Sequence, residues 1–448
     1  MLPTISSAVT SSRFSPRSFA LPLVLLACAL AGVATVHAEL KLVEHWPVGG
    51  NVCVDAPLRL AFDHPPEIGG AGKIEVCRVA DGRPVETIAL GAAEYVDHFG
   101  TGNESLLRCE PIQVEGNVAT VRLRAGALHY GESYFVRLEP GAFKEFAGVA
   151  NGWRFTTKAA PTKKAERLLV AADGTGDFCT VQGAVDAVEP NHQRPVTIFV
   201  RKGRYEGLVR VGREKSRISL VGEDREGTII SGLNNDKLNP GWIQRAVLGV
   251  QGDDFVLENL TVQNRTPYKG SQAEAVYVSA ERCTLRNATF LSFQDTLNVS
   301  GSVHVHDCLI EGDVDYVWGY GTVLFERCEL RSMHEGYIVQ ARNAPGKPGY
   351  FFVDCKLTAP PEVKRCWLAR IEADRFPASQ VVFVRCQMGP HIRAAGWQAT
   401  GPVSRDLCFG EFMSTDLAGQ PLDVTARDVS GRQLSAEEAK ELSRPPFR

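Results

Sequence analysis

Two aspartates, Asp295 and Asp315, have the residue type and spacing to do chemistry together. Asp295 lies eight residues after Asn287 and Asp315 seven after Cys308, nearly equivalent points of a repeating pattern. If each repeat is one coil of a solenoid, the two carboxylates fall on adjacent strands, roughly 4.7–4.9 Å apart. Carboxyl groups that close cannot both ionise freely, so their pKa values split. One then keeps a proton and serves as acid while the other acts as base or nucleophile. Two reaction classes accept such a pair. Carboxylates about 5–5.5 Å apart suit a retaining glycosidase, and a carboxylate can equally attack an ester carbonyl to form an acyl-enzyme. An isolated aspartate more often caps a turn, but recurrence on adjacent coils argues against that use here.

The neighbouring residues favour the ester. Gln294 adjoins Asp295, and Gln272 lies 13 residues after Asn259. Uncharged amide donors aimed at one point suit a developing oxyanion. Arg370 lies 15 residues after Cys355 and Arg342 14 after Cys328, so both are expected to project from similar places on their coils. A guanidinium near Asp315 would keep it ionised and oriented, as a nucleophile requires.

The elements that must position these groups are short and repeated. VLENLTV (256–262), TLRNATF (284–290), VHVHDCLI (303–310), VLFERCEL (323–330), YFFVDCKL (350–357) and VVFVRCQM (381–388) are alternating apolar runs with an Asn or Cys near the end. Those markers, Asn259, Asn287, Cys308, Cys328, Cys355 and Cys386, are spaced 28, 21, 20, 27 and 31 residues apart. Repeats of that size predict a solenoid of short strands. The recurring cysteines read as a ladder of small apolar side chains in its interior. No CxxC pair occurs, which argues against structural zinc.

The 448 residues leave room for a second domain. Residues 39–157 carry short alternating runs between Gly, Pro, Asn and Asp turns, the pattern of a small antiparallel β-sandwich. The segment 158–167 reads as a linker, and the solenoid is expected over 168–448. Residues 1–38 read as a secretory signal peptide, with Arg13 and Arg17 ahead of an apolar stretch and small residues at Val36-His37-Ala38. Cys28 loosely fits a lipoprotein site. Cleavage removes two arginines and takes the net charge from −3 to −5, so no basic field points to nucleic acid. It also leaves eleven of the twelve cysteines, so at least one stays unpaired within the chain.

Several motifs are read structurally. Asp173-Gly174-Thr175-Gly176-Asp177 lacks the third glycine, Lys or Ser of a phosphate loop. Val181, Ala184, Val185 and Val188 fall at helical spacing behind Thr180 as N-cap, a helix suited to cover the solenoid's open end. Ser435 to Glu438 is a capping box. His304 and His306 have no third ligand at metal spacing. Asp253-Asp254 and Asn234-Asn235-Asp236 read as turns rather than calcium ligands. No Gly-x-Ser-x-Gly elbow occurs.

From about 168 to 442 the chain resembles pectin methylesterases, which are right-handed parallel β-helices. Asp173-Gly-Thr-Gly-Asp-Phe-Cys-Thr-Val-Gln-Gly-Ala-Val is similar to the family's opening block, and Gln272-Ala-Glu-Ala-Val to its first glutamine segment. Phe293-Gln294-Asp295-Thr296-Leu297 and Asp313-Val-Asp315-Tyr-Val-Trp-Gly319 resemble the two aspartate segments, and the tail Arg432-Gln-Leu-Ser-Ala-Glu-Glu-Ala439 is also familiar. The resemblance implies that Asp315 attacks the methyl ester of a galacturonate unit while Gln272 and Gln294 hold the oxyanion. It implies that Asp295 is the general acid/base, that Arg370 orients the nucleophile, and that no metal or organic cofactor is needed. Arg342, Phe293, Trp318 and position 372 would contact pectin.

Two departures stand out. The family's Leu-Gly-Arg-Pro-Trp block is Leu368-Ala369-Arg370-Ile371-Glu372 here, so a carboxylate replaces a sugar-contacting tryptophan. Glu372 would repel de-esterified galacturonate, and Trp318 and Trp397 offer other stacking surfaces, although core packing is the commoner use of such residues. Gly203-Arg-Tyr-Glu-Gly207 departs from Gly-x-Tyr-x-Glu. The expectation is a secreted or periplasmic monomer, a β-helical pectinesterase behind an Ig-like β-sandwich, with no nucleic-acid partner and no membrane contact after cleavage. A catalytically silent β-helical carbohydrate-binding protein, or a glycosidase or lyase on the same scaffold, are the alternatives.

Overall fold

Alternating apolar segments separated by single left-handed corner residues build most of the chain. The structure, a computed structural model, describes residues 39–91, 95–99, 106–150, 152–161 and 166–442. The expected signal peptide and Cys28 lie outside the described residues. Residues 39–448 form one unit.

From Arg167–Val170 onward, parallel strands wind into a right-handed β-helix with three faces. One face is an eleven-stranded parallel ladder running from Arg167–Val170 to Gly431–Gln433, and it holds the first strand of each of the six expected repeats, whose ends turn a corner into the next face. The other two faces are fused. The strands Leu309–Gly319 and Glu329–Ala341 are 11 and 13 residues long and turn the corner between them without breaking. The interior is apolar and stacked coil upon coil. Phe325 and Phe352 lie 4.4 Å apart, Phe352 and Phe383 4.6 Å, and Trp397 and Phe409 5.0 Å. Trp397, read as either a stacking surface for sugar or a core residue, is 1% exposed and belongs to this interior stack. Its neighbours are apolar rings, which is where a large ring gains most from burial.

The repeat is in register, with a shift of one position from the expected alignment. Arg286 pairs with His306, so Asn287 is opposite Asp307 rather than Cys308. The corner residues are Asn259, Asn287, Asp307, Arg327, Asp354 and Arg385, all at φ between 47° and 60°. The cysteines follow one position later. Cys308, Cys328, Cys355 and Cys386 are buried, with sulfur next to sulfur along the helix. Counted from the true corners, Asp295 follows Asn287 by eight and Asp315 follows Asp307 by eight, so the two aspartates are equivalent.

Among the described residues the N-terminal module packs a four-stranded and a five-stranded sheet around its own core, with a two-stranded ribbon of Val96–His98 and Leu106–Arg108 beside them. Its strands are antiparallel with one exception: Gly49–Val52 runs parallel to Arg154–Thr157. Two ends of the expected linker belong to structure. Lys158 N–H donates to Val52 O at 2.8 Å, and Arg167 opens the first solenoid strand. Residues 162–165 of that linker lie outside the described residues.

Both expected helices form. In α1, Val181–Ala187, the Thr180 hydroxyl accepts the Gly183 N–H at 3.0 Å. In α2, Ala436–Leu442, Ser435 and Glu438 cap each other reciprocally at 2.8 and 3.2 Å. Among the described residues, no helix is long and apolar enough to cross a membrane.

Candidate active site

A bulge aims the second aspartate. Within the Leu309–Gly319 strand, Val314 pairs with Tyr337 and Val317 with Val339, so Asp315 and Tyr316 together face one residue. Such bulges re-aim side chains beside active sites. Asp315 takes φ 49° and points outward, while Tyr316 turns fully inward, its hydroxyl 3.1 Å from Ser332 Oγ. Gly312 makes this turn feasible, because a Cβ there would stand 2.2 Å from the Tyr316 Cβ and 2.7 Å from Phe293 O. One coil earlier, Asp295 also holds a positive φ, 68°, and its N–H donates to Val314 O at 3.0 Å. Leu297 pairs with Val317, which sets Asp295 level with Asp315. Left-handed aspartates cost little more than other turn residues, yet backbone held this way marks a positioned group.

The two carboxyl groups have different partners. Arg370 Nε donates to Asp315 Oδ1 at 2.9 Å and its Nη2 to Oδ2 at 2.5 Å, a bidentate grip. The same guanidinium lies over the Tyr337 ring at 4.2 Å. Asp295 Oδ2 accepts instead from Arg245 Nη2 at 2.8 Å. Arg245 is held by Glu274 through two bonds of 2.7 and 2.8 Å and by Asp236 at 2.9 Å. Three carboxyl groups therefore share one guanidinium, so not all of them can be ionised. Burial pushes Asp295 well above the usual carboxylate range, and the Glu274 charge, with Asp315 beyond it, adds to the rise. Burial raises Asp315 as well, but Arg370 and then Arg342 oppose it. Both carboxyl groups are thus raised, Asp295 well above its ordinary range and Asp315 with the rise held back by Arg370, so Asp315 is the one of the pair that the arginines favour as carboxylate.

The glutamines sit where the coils bring them together. Ala273 N–H donates to Gln294 O at 3.1 Å, which places the Gln272 coil directly on the Gln294 coil beside Asp295. Gln272 Oε1 accepts from Ser271 Oγ at 3.0 Å, leaving its amide nitrogen without a protein acceptor among the described residues. Both glutamines are half-buried, which suits donors waiting for an oxyanion.

Aromatic groups flank the aspartates. On one side Phe293 lies 5.6 Å from Tyr268, which stacks on His334 at 3.7 Å. On the other, Arg342 covers Trp318 at 4.8 Å, and Trp242 lies 5.2 Å from Tyr320. Arg342 is not equivalent to Arg370, as spacing had suggested. Gln340 is opposite Arg370, and Arg342 follows two positions later, just past its strand. Glu372 is exposed and ion-paired with Arg375 at 2.7 Å, so its charge is partly met within the chain.

Arg245, Glu274 and Asp236 were not found by sequence reasoning. Asp236 was read with Asn234 and Asn235 as a turn, and Glu274 passed as one letter of the Gln272 segment. The signal available was an acid at an inward-reading position of an apolar stretch, Ala273-Glu274-Ala275-Val276, where burial demands a cation.

Residues 167–437 match the family model for pectinesterase. Pectinesterase 31 of Arabidopsis thaliana is 32% identical over 260 residues, covering 55% of this chain and 81% of that protein. Among solved structures, the pectin methylesterase from carrot aligns with TM-score 0.57 and 23% identity over 65% of this chain and 94% of that one. A pectin methylesterase in complex with a hexasaccharide aligns with TM-score 0.52 and 24% identity over 64% of this chain and all of that one (100%).

Proposed function

Because the chain belongs to the pectinesterase family, we propose that it hydrolyses the methyl esters of galacturonate units in pectin through a covalent intermediate on Asp315. The ionised Asp315 carboxylate attacks the ester carbonyl carbon, and the developing oxyanion accepts hydrogen bonds from Gln272 and Gln294. Collapse breaks the bond to the methoxy oxygen, which takes the proton held by Asp295 and leaves as methanol. The product is an anhydride between Asp315 and the sugar acid. Asp295, now a carboxylate, removes a proton from water attacking that anhydride, and Asp315 is released as a carboxylate.

The observation that supports this most is the unequal treatment of two aligned, buried carboxyl groups: Arg370 grips Asp315 at two points, while Asp295 shares Arg245 with Glu274 and Asp236. A nucleophile needs the first arrangement and a general acid the second. Phe293, Arg342 and Glu372 are the residues assigned to the flanking sugar units, while Trp318, assigned with them from sequence, is 2% exposed beneath Arg342 and supports that guanidinium instead. Export belongs to the same proposal, supported by the Arg13 and Arg17 pattern ahead of Phe19 to Val36. We read the N-terminal sandwich as Ig-like on its two-sheet pattern.

The test is methanol release from highly methylated pectin, with solution viscosity followed in parallel. Methanol without loss of viscosity fits the proposal; loss of viscosity without methanol contradicts it.

A further inference from the structure

Where the N-terminal module meets the first coil, two thiols from different parts of the chain face each other. Cys53 directly follows the Gly49–Val52 strand of the sandwich, and Cys179 directly precedes Thr180, the N-cap of α1. Both are buried, and their sulfur atoms lie within 4.8 Å of each other and of an Asp55 oxygen. Lys158 Nζ stands 3.2 Å from Cys53 Sγ.

A metal ion fits this cluster poorly. Asp55 is already committed, accepting from Cys179 N–H at 2.9 Å and from Thr180 N–H and hydroxyl at 2.7 Å each, as a second cap of α1. Only three donors are present where zinc takes four, and the Lys158 ammonium occupies the side from which a cation would be repelled.

The arrangement instead resembles a thiol pair prepared for exchange. The Cys179 thiol, donating to Cys53, and then Lys158 hold Cys53 below its ordinary pKa, while Cys179 is pushed up by Cys53 and by burial. A cavity of about 460 Å³ between module and solenoid reaches Cys179, Asp55 and Thr180, giving a reagent access. Thiolate character and access are what set exchange rates.

We propose that Cys53 and Cys179 are a redox pair that closes to a disulfide and locks the sandwich onto the end of the β-helix. The oxidant is a small-molecule or protein disulfide. Cys179 sulfur, which the cavity reaches, attacks one sulfur of that donor, and its proton goes to the other donor sulfur, which leaves as thiol. The Cys53 sulfur then attacks Cys179 in the mixed disulfide and gives its proton to the donor sulfur still bound there, which leaves as thiol. Two sulfurs of the chain are oxidised and two of the donor reduced.

The experiment uses the whole mature chain, reduced and then incubated with oxidised glutathione, followed by alkylation, non-reducing digestion and mass spectrometry. The expected result is a linked peptide pair joining Cys53 to Cys179, a mass lower by two hydrogens, and a melting temperature above that of the reduced protein. Lys158→Met should close several-fold more slowly, and an equal rate would overturn the role given to Lys158. Alkylation of both cysteines after incubation, or a stable single glutathione adduct at either, would overturn the proposal. Retention of one equivalent of zinc by the reduced parent, lost in Cys53→Ser, would replace it with a metal site.

Discussion

Glu274 and Asp295 share one nitrogen of a guanidinium: Arg245 Nη2 donates to Glu274 Oε1 at 2.8 Å and to Asp295 Oδ2 at 2.8 Å. The cation fixes where the acid's oxygen points, and the Glu274 charge offsets the pull that Arg245 alone would exert on the Asp295 proton. Arg245 therefore orients Asp295 without stripping it of its proton.

Replacing Glu274 by Gln keeps the shape and removes the charge. Glu274 raises the Asp295 pKa, so its loss lowers that pKa, and Asp295 gives up its proton at lower pH. The alkaline limb of kcat/KM should move down, while the acid limb stays in place. Breaking a buried pair costs about 3–5 kcal/mol, so the melting temperature should fall as well. A profile measured on methylated oligogalacturonide checks the shift; an unmoved alkaline limb would remove Glu274 from the account.

Arg370→Gln should move the other limb. Arg370 opposes the burial that raises Asp315, so without it Asp315 ionises only at higher pH. The acid limb should rise and kcat should fall by roughly 10²-fold as the carboxylate loses its bidentate orientation. Arg370→Lys should recover part of the pH shift but little of kcat, since one ammonium cannot grip both oxygens.

Gln272→Ala and Gln294→Ala are expected to lower kcat by about 10²–10³-fold each with small changes in KM, the signature of a donor used mainly at the transition state. A rise in KM at constant kcat would assign the amide to ground-state sugar binding instead.

Glu372 acts on Asp315 from outside, where its charge adds to the rise in pKa. Glu372→Ala should extend the acid limb to lower pH. It should also narrow the preference for highly methylated over sparsely methylated pectin, because a carboxylate that repels free galacturonate is gone. Initial rates on two pectins of known methylation measure both effects. Arg375, paired with Glu372 at 2.7 Å, makes the expected change modest, within several-fold.

Much of this was legible in the residues because a solenoid writes its geometry into spacing. The six repeats, both helix caps and the aspartate pair could be read from period and residue type alone. The one-position slip at Asn287 arose because Asn and Cys both looked like the recurring marker. Only the backbone register separates the left-handed corner at Asp307 from the buried sulfur of Cys308. For Trp397 sugar stacking and core packing both stood open, because a strand's in-and-out alternation could not be phased near a turn, and its ring lies in the core. Arg342 was placed level with Arg370 because coil lengths differ, so equal counts from a cysteine do not give equal heights. The Arg245, Glu274 and Asp236 network stayed hidden because two coils build it, Asp236 and Arg245 from the connection between Thr228–Gly232 and Leu248–Val250 and Glu274 from the next coil, with no local pattern to announce it.

The most direct test is methanol release by Asp315→Ala beside the parent and Asp295→Ala, with pectin binding measured on all three. The account predicts that Asp315→Ala binds pectin normally and loses at least roughly 10³-fold in kcat. Near-parent turnover by Asp315→Ala would mean that the nucleophile is another group, and the covalent mechanism proposed for Asp315 would be wrong.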